Sequence, residues 1–184
     1  MVFIHLQQSV EAQFLIEVTC ATTVDSLAIQ VSAMYDEVLH ILRLCSMFDM
    51  IVSPPPPTEG HPPPPEAPPQ VKELLARTAA EARALISPAQ VDRKVIIKEE
   101  QLKAMIETLI AAATMAFSPN PPPEQMVEPP KFQVYEVWWA GKQLDRKKTV
   151  GEYTGRNEKT KIVVRLAKQG SSGPPPRVET TAEQ

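Results

Sequence analysis

Histidine and cysteine are the side chains of this sequence that most often bind metals or act as nucleophiles. His5, His40 and His61 are separated by long intervals, and none has a second ligand at the short spacing typical of zinc sites. Cys20 and Cys45 do not form a CxxC pair, and both lie in segments with apolar patterning. We therefore predict no metal site and no cofactor, and we expect both cysteines to be reduced and buried in an intracellular protein.

Sequence motifs of catalysis are also absent from the chain. It contains no GxxxxGK(S/T) phosphate-binding loop, no GxGxxG dinucleotide fingerprint and no GxSxG nucleophile elbow. The adjacent acids Glu99 and Glu100 stand where a helix is predicted to begin, and the helix dipole favours negative charge there. We predict that the protein has no catalytic residues and acts by binding.

Charge is unevenly distributed along the chain, although the net charge is only −3. Residues 1–50 carry six acids and one base, a net −5, whereas residues 131–170 carry ten bases and four acids, a net +6. The two segments could attract each other on folding, or the basic one could dock on an acidic surface such as nucleic acid or an acidic protein tail. Both explanations remain open at this stage.

The N-terminus and the apolar runs give no sign of a membrane protein. Residues 1–8 lack the basic and long apolar regions of a signal peptide. No run approaches the roughly 18 apolar residues that are needed to cross a bilayer. We expect no membrane partner.

The elements that position these side chains begin with a predicted β-hairpin over residues 1–19, where apolar residues recur at every second position. A helix follows, with Thr23 as its N-cap and Asp25 in its first turn. Glu37–Met50 has apolar residues at helical spacing, and we predict a second helix there, separated from the first by a break near Asp36.

Proline accounts for 20 of the 184 residues and is clustered. Residues 53–69 and 119–131 are therefore predicted to be extended connectors, since proline lacks the N–H that helices and central strands need. The first run is either a plain linker or a ligand for an SH3- or profilin-like module. Between the two connectors, residues 70–86 and Glu99–Phe117 have the apolar stripes of helices.

Residues 132–168 begin with a predicted strand, turn at Ala140-Gly141-Lys142, and end with a strand from Thr160 to Leu166. This segment resembles the second half of ubiquitin in the order of its features. The resemblance is carried by WAGKQL at 139–144, Thr149-Val150, Glu152-Tyr153, Glu158, Thr160 and the closing strand.

The resemblance implies an α+β fold, a ubiquitin-like β-grasp formed by the N- and C-terminal segments and interrupted by a proline-rich linker and a helical insertion. Its closing strand would pair beside the first strand. We divide the chain into residues 1–46 (hairpin and helix of the first half), 47–69 (helix end and linker), 70–118 (helical insertion), 119–131 (connector), 132–168 (second half) and 169–184 (disordered tail).

Two departures from ubiquitin bear on function. The last strand does not run into Gly-Gly, so conjugation to other proteins is not expected. By alternation, Trp138 and Arg165 point outward on the sheet, and an exposed Trp beside an Arg is typical of an interface hot spot. Alternatively, the Glu99–Phe117 helix covers Trp138. We take as candidate partner-binding residues Trp138, Arg165, Lys142, Arg156, Lys159 and Lys161.

A more specific resemblance covers residues 1 to about 169. Its motifs are the MVFIH start, RLC at 43–45, EARALIS at 81–87, WWAGKQL at 138–144 and YTGRNEKTKIVVRL at 153–166. These motifs resemble the Kurly family, the cilia- and flagella-associated protein 298 family. The double Trp and NEKTKI are its most diagnostic parts, since generic ubiquitin-like domains lack both.

This family resemblance implies a protein of the cytoplasm and of the cilium or flagellum, including its axoneme. It implies a role in axonemal dynein arm assembly and cilium motility, with dynein-arm preassembly factors or axonemal, microtubule-associated proteins as partners. The chain departs from the family in its proline-rich bridge and its short tail, so the resemblance implies no contacts for those segments.

Two other functions remain open. The chain could be a general ubiquitin-like adaptor or cofactor of a chaperone or degradation machine. Binding of nucleic acid by the basic C-terminal segment is less favoured, because no RNP-like motif accompanies the charge.

Overall fold

The computed structural model describes residues 1–62, 66–129, 131–157, 159–171 and 173–175, and combines helices with a mixed five-stranded sheet. The predicted α+β class is confirmed. Glu158 and residues 176–184 of the predicted tail lie outside the described residues. The elements in chain order are β1 Val2–Gln7, β2 Gln13–Val18, α1 Val24–Val52, α2 Pro69–Leu85, α3 Pro88–Asp92, α4 Glu99–Phe117, α5 Glu124–Val127, β3 Glu136–Trp139, β4 Lys142–Gln143, α6 Val150–Thr154 and β5 Lys161–Ala167.

The sheet has the strand order β2-β1-β5-β3-β4. β1 and β2 form the predicted antiparallel hairpin, and β5 lies parallel to β1 with Ile4 opposite Ile162 and Leu6 opposite Val164. β3 pairs antiparallel with both β5 and β4. The prediction that the closing strand pairs beside the first strand is therefore confirmed, and the two ends of the chain share one sheet.

The described residues form two compact units. The first contains Met1–Asp36, Ile86–Glu99 and the described residues from Lys131 onward, and it includes the whole sheet. Successive residues of a strand point to opposite faces of a sheet. On one face of this sheet the aliphatic side chains are buried. Its buried residues include Val2, Ile4, Leu6, Ile16, Val137, Ile162, Val164 and Leu166, together with Leu27, Val31 and Met34 of α1.

The second unit contains the described residues of Glu37–Leu85 and of Glu100–Pro130, and its regular elements are helices. Its core is built from residues at helical spacing, which form one apolar stripe on each helix. The buried set is Val38, Ile41, Leu44, Cys45, Phe48, Leu75, Ala79, Ala82, Leu102, Leu109, Ala113 and Met126. The guanidinium of Arg83 donates to the carboxylate of Asp49, which ties α2 to the C-terminal part of α1.

Helix α1 corrects one prediction, since it runs without a break through Asp36. The segment contains neither Gly nor Pro, so no residue in it forces a helix to end. At the position of the predicted break, the Asp36 carboxylate accepts a hydrogen bond from the backbone N–H of Gln133. The predicted boundary at residue 46 lies within this helix.

Three of the helices are short: α3, α5 and α6. Ser87-Pro88 begins helix α3, with the Ser87 hydroxyl accepting from the N–H of Ala89. Helix α5 lies inside the predicted proline-rich connector. Thr149 is the N-cap of α6, and the carboxylate of Glu152 accepts from the Thr149 N–H at 2.6 Å.

The other long helices follow the sequence closely. Helix α4 has the predicted bounds Glu99–Phe117, and α2 agrees with the predicted helix to within one residue at each end. Thr23 caps α1, since its hydroxyl oxygen accepts from the N–H of Ser26 at 3.2 Å. Within the described ranges, no helix is both long enough and apolar enough to cross a membrane.

Candidate partner-binding site

The register between β3 and β5 brings two of the candidate residues together. Trp138 lies directly opposite Arg165, and Val137 lies opposite Leu166. Val137 and Leu166 are buried in the core, so alternation places Trp138 and Arg165 on the other face of the sheet. Both side chains are half-buried there.

The segment before β3 is fixed by contacts with α1. The N–H of Tyr135 donates to the Ser32 hydroxyl at 2.9 Å, and the N–H of Gln133 donates to the Asp36 carboxylate at 3.3 Å. The rings of Tyr35 and Tyr135 meet edge to face, with centroids 5.5 Å apart. These contacts set the position from which the chain enters β3.

Tyr35, Asp36 and Tyr135 form a cluster in which the pKa of each side chain is shifted. Burial raises the pKa of Asp36, although hydrogen bonds from Gln133 and the Tyr135 hydroxyl oppose the shift. Burial also raises the pKa of Tyr35 and of Tyr135, and the nearby Asp36 charge adds to both shifts. The cluster has a clear role in anchoring β3 to α1.

A tight turn connects β3 to β4. Ala140 and Gly141 both have positive φ, 51° and 78°, which matches the type I′ turn that suits the twist of a two-residue hairpin. The N–H of Leu144 donates to the Val137 carbonyl oxygen at 2.9 Å beyond the turn. The turn therefore holds Trp139 opposite Lys142.

A groove of about 680 Å³ lies where this turn meets β5, and we call it the tryptophan groove. Its volume falls within the range of about 300–1,000 Å³ that is typical of ligand pockets. It is lined by Trp138, Trp139, Ala140, Gly141, Lys161, Ile162, Val163, Arg165, Pro174 and Pro175.

The structure gathers half of the candidate residues at this groove. Trp138, Arg165 and Lys161 line it. The exposed side chains of Lys142, Arg156 and Lys159 are not part of its lining, so they are separate surface charges.

The loop between α6 and β5 contains two of these surface charges, Arg156 and Lys159. Asn157 organises this loop, because its side-chain oxygen accepts from the Lys159 N–H and its carbonyl oxygen accepts from Thr160. The carbonyl oxygen of Thr160 in turn accepts from the N–H of Phe3 on β1. The loop therefore holds Lys159 just before β5, on the side of β1.

The indole nitrogen of Trp138 is an unusual feature of the groove. Its Nε1 is buried and has no hydrogen-bond partner among the described residues. An indole N–H can only donate, and leaving such a donor buried and unpaired costs about 1–3 kcal/mol. A molecule that supplied an acceptor to this atom would recover that energy.

Further residues of the groove lining are not among the candidate partner-binding residues predicted from the sequence. Val163 is 40% exposed on β5, and Pro174 and Pro175 come from the segment that was predicted to be a disordered tail. Gly170 and Gly173 have positive φ after β5, where such glycines allow the chain to change direction. These two glycines were the available signal that the chain turns back after its last strand.

The histidines have the locations that the sequence predicted: His5 in a strand, His40 in a helix and His61 in a connector. His5 Nε2 lies 3.1 Å from the Gln13 side-chain oxygen, and His40 Nε2 lies 3.3 Å from the Met126 carbonyl oxygen. Burial lowers the pKa of both imidazoles. Across the described part of the chain, no group of three His, Cys, Asp or Glu side chains could hold a metal ion.

The cysteines are both free, but they differ in environment. Cys45 is buried as predicted, and burial raises the pKa of its thiol, which disfavours the nucleophilic thiolate. Cys20 is only half-buried, so the prediction of burial is wrong for this residue. It lies in the loop between β2 and α1, where its carbonyl oxygen accepts from the N–H of Gly151.

Comparison with known proteins identifies relatives along most of the chain. A family model for cilia- and flagella-associated protein 298 matches residues 135–184, a stretch that includes the β3 and β5 residues of the groove. The Xenopus laevis cilia- and flagella-associated protein 298-B is 27% identical, over 95% of this chain and 77% of the relative. The Mus musculus and Homo sapiens proteins named cilia- and flagella-associated protein 298 are each 25% identical, over 95% of this chain and 79% of theirs. No solved structure matches.

Proposed function

We propose, from the premise that this chain is a relative of the cilia- and flagella-associated protein 298 family, that it acts by protein binding in axonemal dynein arm assembly and cilium motility. The names of the relatives support an association with cilia and flagella. The finer role is our proposal, and it includes the absence of catalysis. The observation that carries it is the tryptophan groove.

The groove has the composition of a protein-binding surface. Trp and Arg are the residues most enriched at interface hot spots, and here Trp138 and Arg165 are neighbours across two strands. The exposed aliphatic side chain of Val163 lies on the same strand as Arg165. We propose that partners contact Trp138, Arg165 and Lys161, and that Lys142, Arg156 and Lys159 steer them electrostatically.

The proposed partners are dynein-arm preassembly factors in the cytoplasm, axonemal microtubule-associated proteins, or both. A protein of this kind would be present in the cytoplasm during assembly and in the axoneme of the cilium or flagellum.

We also propose that the unit containing the sheet is a ubiquitin-like β-grasp. Its strand order, the parallel pairing of β1 with β5 and the helix after the first hairpin support this assignment. The same arrangement favours a second candidate function, that of a general ubiquitin-like adaptor of a chaperone or degradation machine. The two functions differ in which proteins would be recovered with the chain.

Affinity purification of the tagged chain from ciliated cells tests this proposal. We expect recovery of dynein-arm preassembly factors or axonemal proteins, and loss of that recovery in Trp138→Ala and Lys161→Glu. Lys147→Glu is the matched control, since it makes the same charge change at an exposed lysine that is neither in the groove lining nor among the candidate residues.

Each variant is first checked for folding by circular dichroism and thermal unfolding. Recovery of chaperone or proteasome components alone would favour the second function. If folded groove variants retained every ciliary partner, the groove would not be the binding site.

A further inference from the structure

We propose that the tryptophan groove binds an extended, proline-rich segment of a partner protein that carries acidic residues. This inference deepens the proposed function and rests on it, because it specifies the chemistry of the partner at the same site. Three observations lead to it: the prolines already at the groove, the unpaired indole N–H and the cationic lining.

The chain's own prolines already lie at the groove. Pro174 and Pro175 line the groove together with Trp138 and Trp139. Aromatic-lined grooves recognise proline-rich segments because these are already extended in polyproline II geometry and lose little entropy on binding. The groove thus combines flat aromatic side chains with prolines that lie against the same cavity.

The Trp138 indole selects for a ligand with free carbonyl groups. Its Nε1 is buried without an acceptor among the residues that the structure describes. A polyproline II segment makes no internal hydrogen bonds, so its carbonyl oxygens are available to a donor. One such carbonyl would pair the indole if the partner segment took the place of Pro174 and Pro175, which line the same groove.

The charge of the lining favours acidic residues beside the prolines. Lys161 is exposed at the start of β5, and Arg165 lies further along the same strand. Residues 131–170, which contain most of the groove, carry ten bases and four acids. An acidic segment would be steered toward this region, and acids that flank its prolines would face the cations.

Single-stranded nucleic acid is the competing ligand for a groove with Trp and basic side chains. Base stacking would use the same tryptophans, but it does not account for Pro174 and Pro175 in the lining of the groove. The observations therefore favour the peptide.

Titration of the full-length chain with short synthetic peptides tests the proposal. The chain has two tryptophans, and both line the groove, so their fluorescence reports directly on its occupation. We expect an acetylated EPPPPE peptide to shift the emission. ESSSSE, which keeps the acids without the prolines, should bind at least about tenfold more weakly, and so should KPPPPK, which reverses the charges.

Calorimetry of variants with the EPPPPE peptide assigns the contacts. Trp138→Phe keeps an aromatic ring but removes the N–H, so we expect about fivefold weaker binding, the value of one hydrogen bond. Lys161→Glu should weaken binding about tenfold, whereas Lys147→Glu, its matched control at an exposed lysine outside the groove, should weaken it less than twofold. Replacing Pro174 and Pro175 by Ser should tighten binding about threefold, since removing an internal competitor raises the fraction of binding-competent chain.

Several results would overturn the proposal. Equal binding of ESSSSE and EPPPPE would show that proline is not recognised. Equal effects of Lys161→Glu and Lys147→Glu would show that the interaction depends only on net charge. Binding of a single-stranded oligonucleotide that Trp138→Phe weakens, without binding of EPPPPE, would assign the groove to nucleic acid.

The two proposals can fail separately. If EPPPPE does not bind but Trp138→Ala still loses ciliary partners, the proposed function stands and the ligand class is wrong. If EPPPPE binds but no ciliary protein is recovered, the ligand class stands and the proposed function is wrong.

Discussion

The carboxylate of Asp36, in the middle of helix α1, accepts a hydrogen bond from the backbone N–H of Gln133, just before strand β3. Asp36 is 6% exposed, and the hydroxyl of Tyr135 also hydrogen-bonds to it. A helix near the N-terminus is thereby joined to the strand that carries Trp138. The same buried carboxyl should govern how the stability of the protein depends on pH.

We expect the contribution of Asp36 to the free energy of unfolding to fall as the pH rises. Burial raises the pKa of its carboxyl above the value of 3.8 for an unperturbed Asp, so the folded state binds its proton more tightly than the unfolded state does. Its contribution is therefore fully present below pH 3.8 and is lost as the pH rises through the raised pKa.

Denaturant unfolding at a series of pH values measures this effect. The difference in unfolding free energy between wild type and Asp36→Asn should change across that window. Glu11→Gln, at an exposed acid, serves as the control and should show no such change. A flat difference for Asp36→Asn would mean that its burial does not affect its titration.

The buried histidines should make the protein sensitive to acid. Burial lowers the pKa of His40 from 6.5, so the unfolded state takes up a proton more readily, and stability is lost as the pH falls from 6.5 through the lowered pKa. His40→Gln keeps a donor for the Met126 carbonyl but cannot titrate. We expect urea unfolding of this variant to depend less on pH below 6.5 than that of wild type, whereas the exposed His61→Gln should behave as wild type.

Gly151 should not tolerate a side chain, although it lies in helix α6. A Cβ there would lie 3.0 Å from the carbonyl oxygen of Cys20 and 3.1 Å from its Cβ. That carbonyl already accepts from the Gly151 N–H at 2.9 Å, so it cannot move away without weakening the bond. Overpacking of this kind costs about 1–3 kcal/mol, and the gain in helix propensity from Gly to Ala is at most about 1 kcal/mol.

We therefore expect Gly151→Ala to lower the thermal unfolding midpoint. Thr154→Ala, in the last position of the same helix, is a useful comparison because it removes atoms and adds none. A raised midpoint for Gly151→Ala would show that the loop at Cys20 yields easily and that propensity dominates.

Ala140 offers a way to stabilise the protein. Its φ of 51° lies in the left-handed region, which costs a non-glycine residue about 1–2 kcal/mol. Asn and Gly suit this position of a type I′ turn. We expect Ala140→Asn to raise the unfolding free energy by about 0.5–1 kcal/mol, and Ala140→Val to lower it. Equal stability of the two variants would contradict the turn assignment.

Local patterns in the sequence determined much of the fold. The alternation of apolar residues predicted the first hairpin and the closing strand, and the apolar stripe of Glu99–Phe117 predicted helix α4 with its observed bounds. The motifs at 138–144 and 153–166 also carried the resemblance that the comparison with known proteins supports. Such signals are readable because each depends on residues a few positions apart.

Only the tertiary structure decided which side chains form the site. Alternation indicated that Trp138 and Arg165 point outward, but their direct opposition depends on the register between β3 and β5, which are far apart in sequence. The return of Pro174 and Pro175 to the groove, and the burial of the Trp138 indole without an acceptor, depend on packing between distant segments. The sequence by itself thus determined which faces are apolar, whereas non-local strand pairing decided which residues meet, because no local pattern encodes register between separated strands.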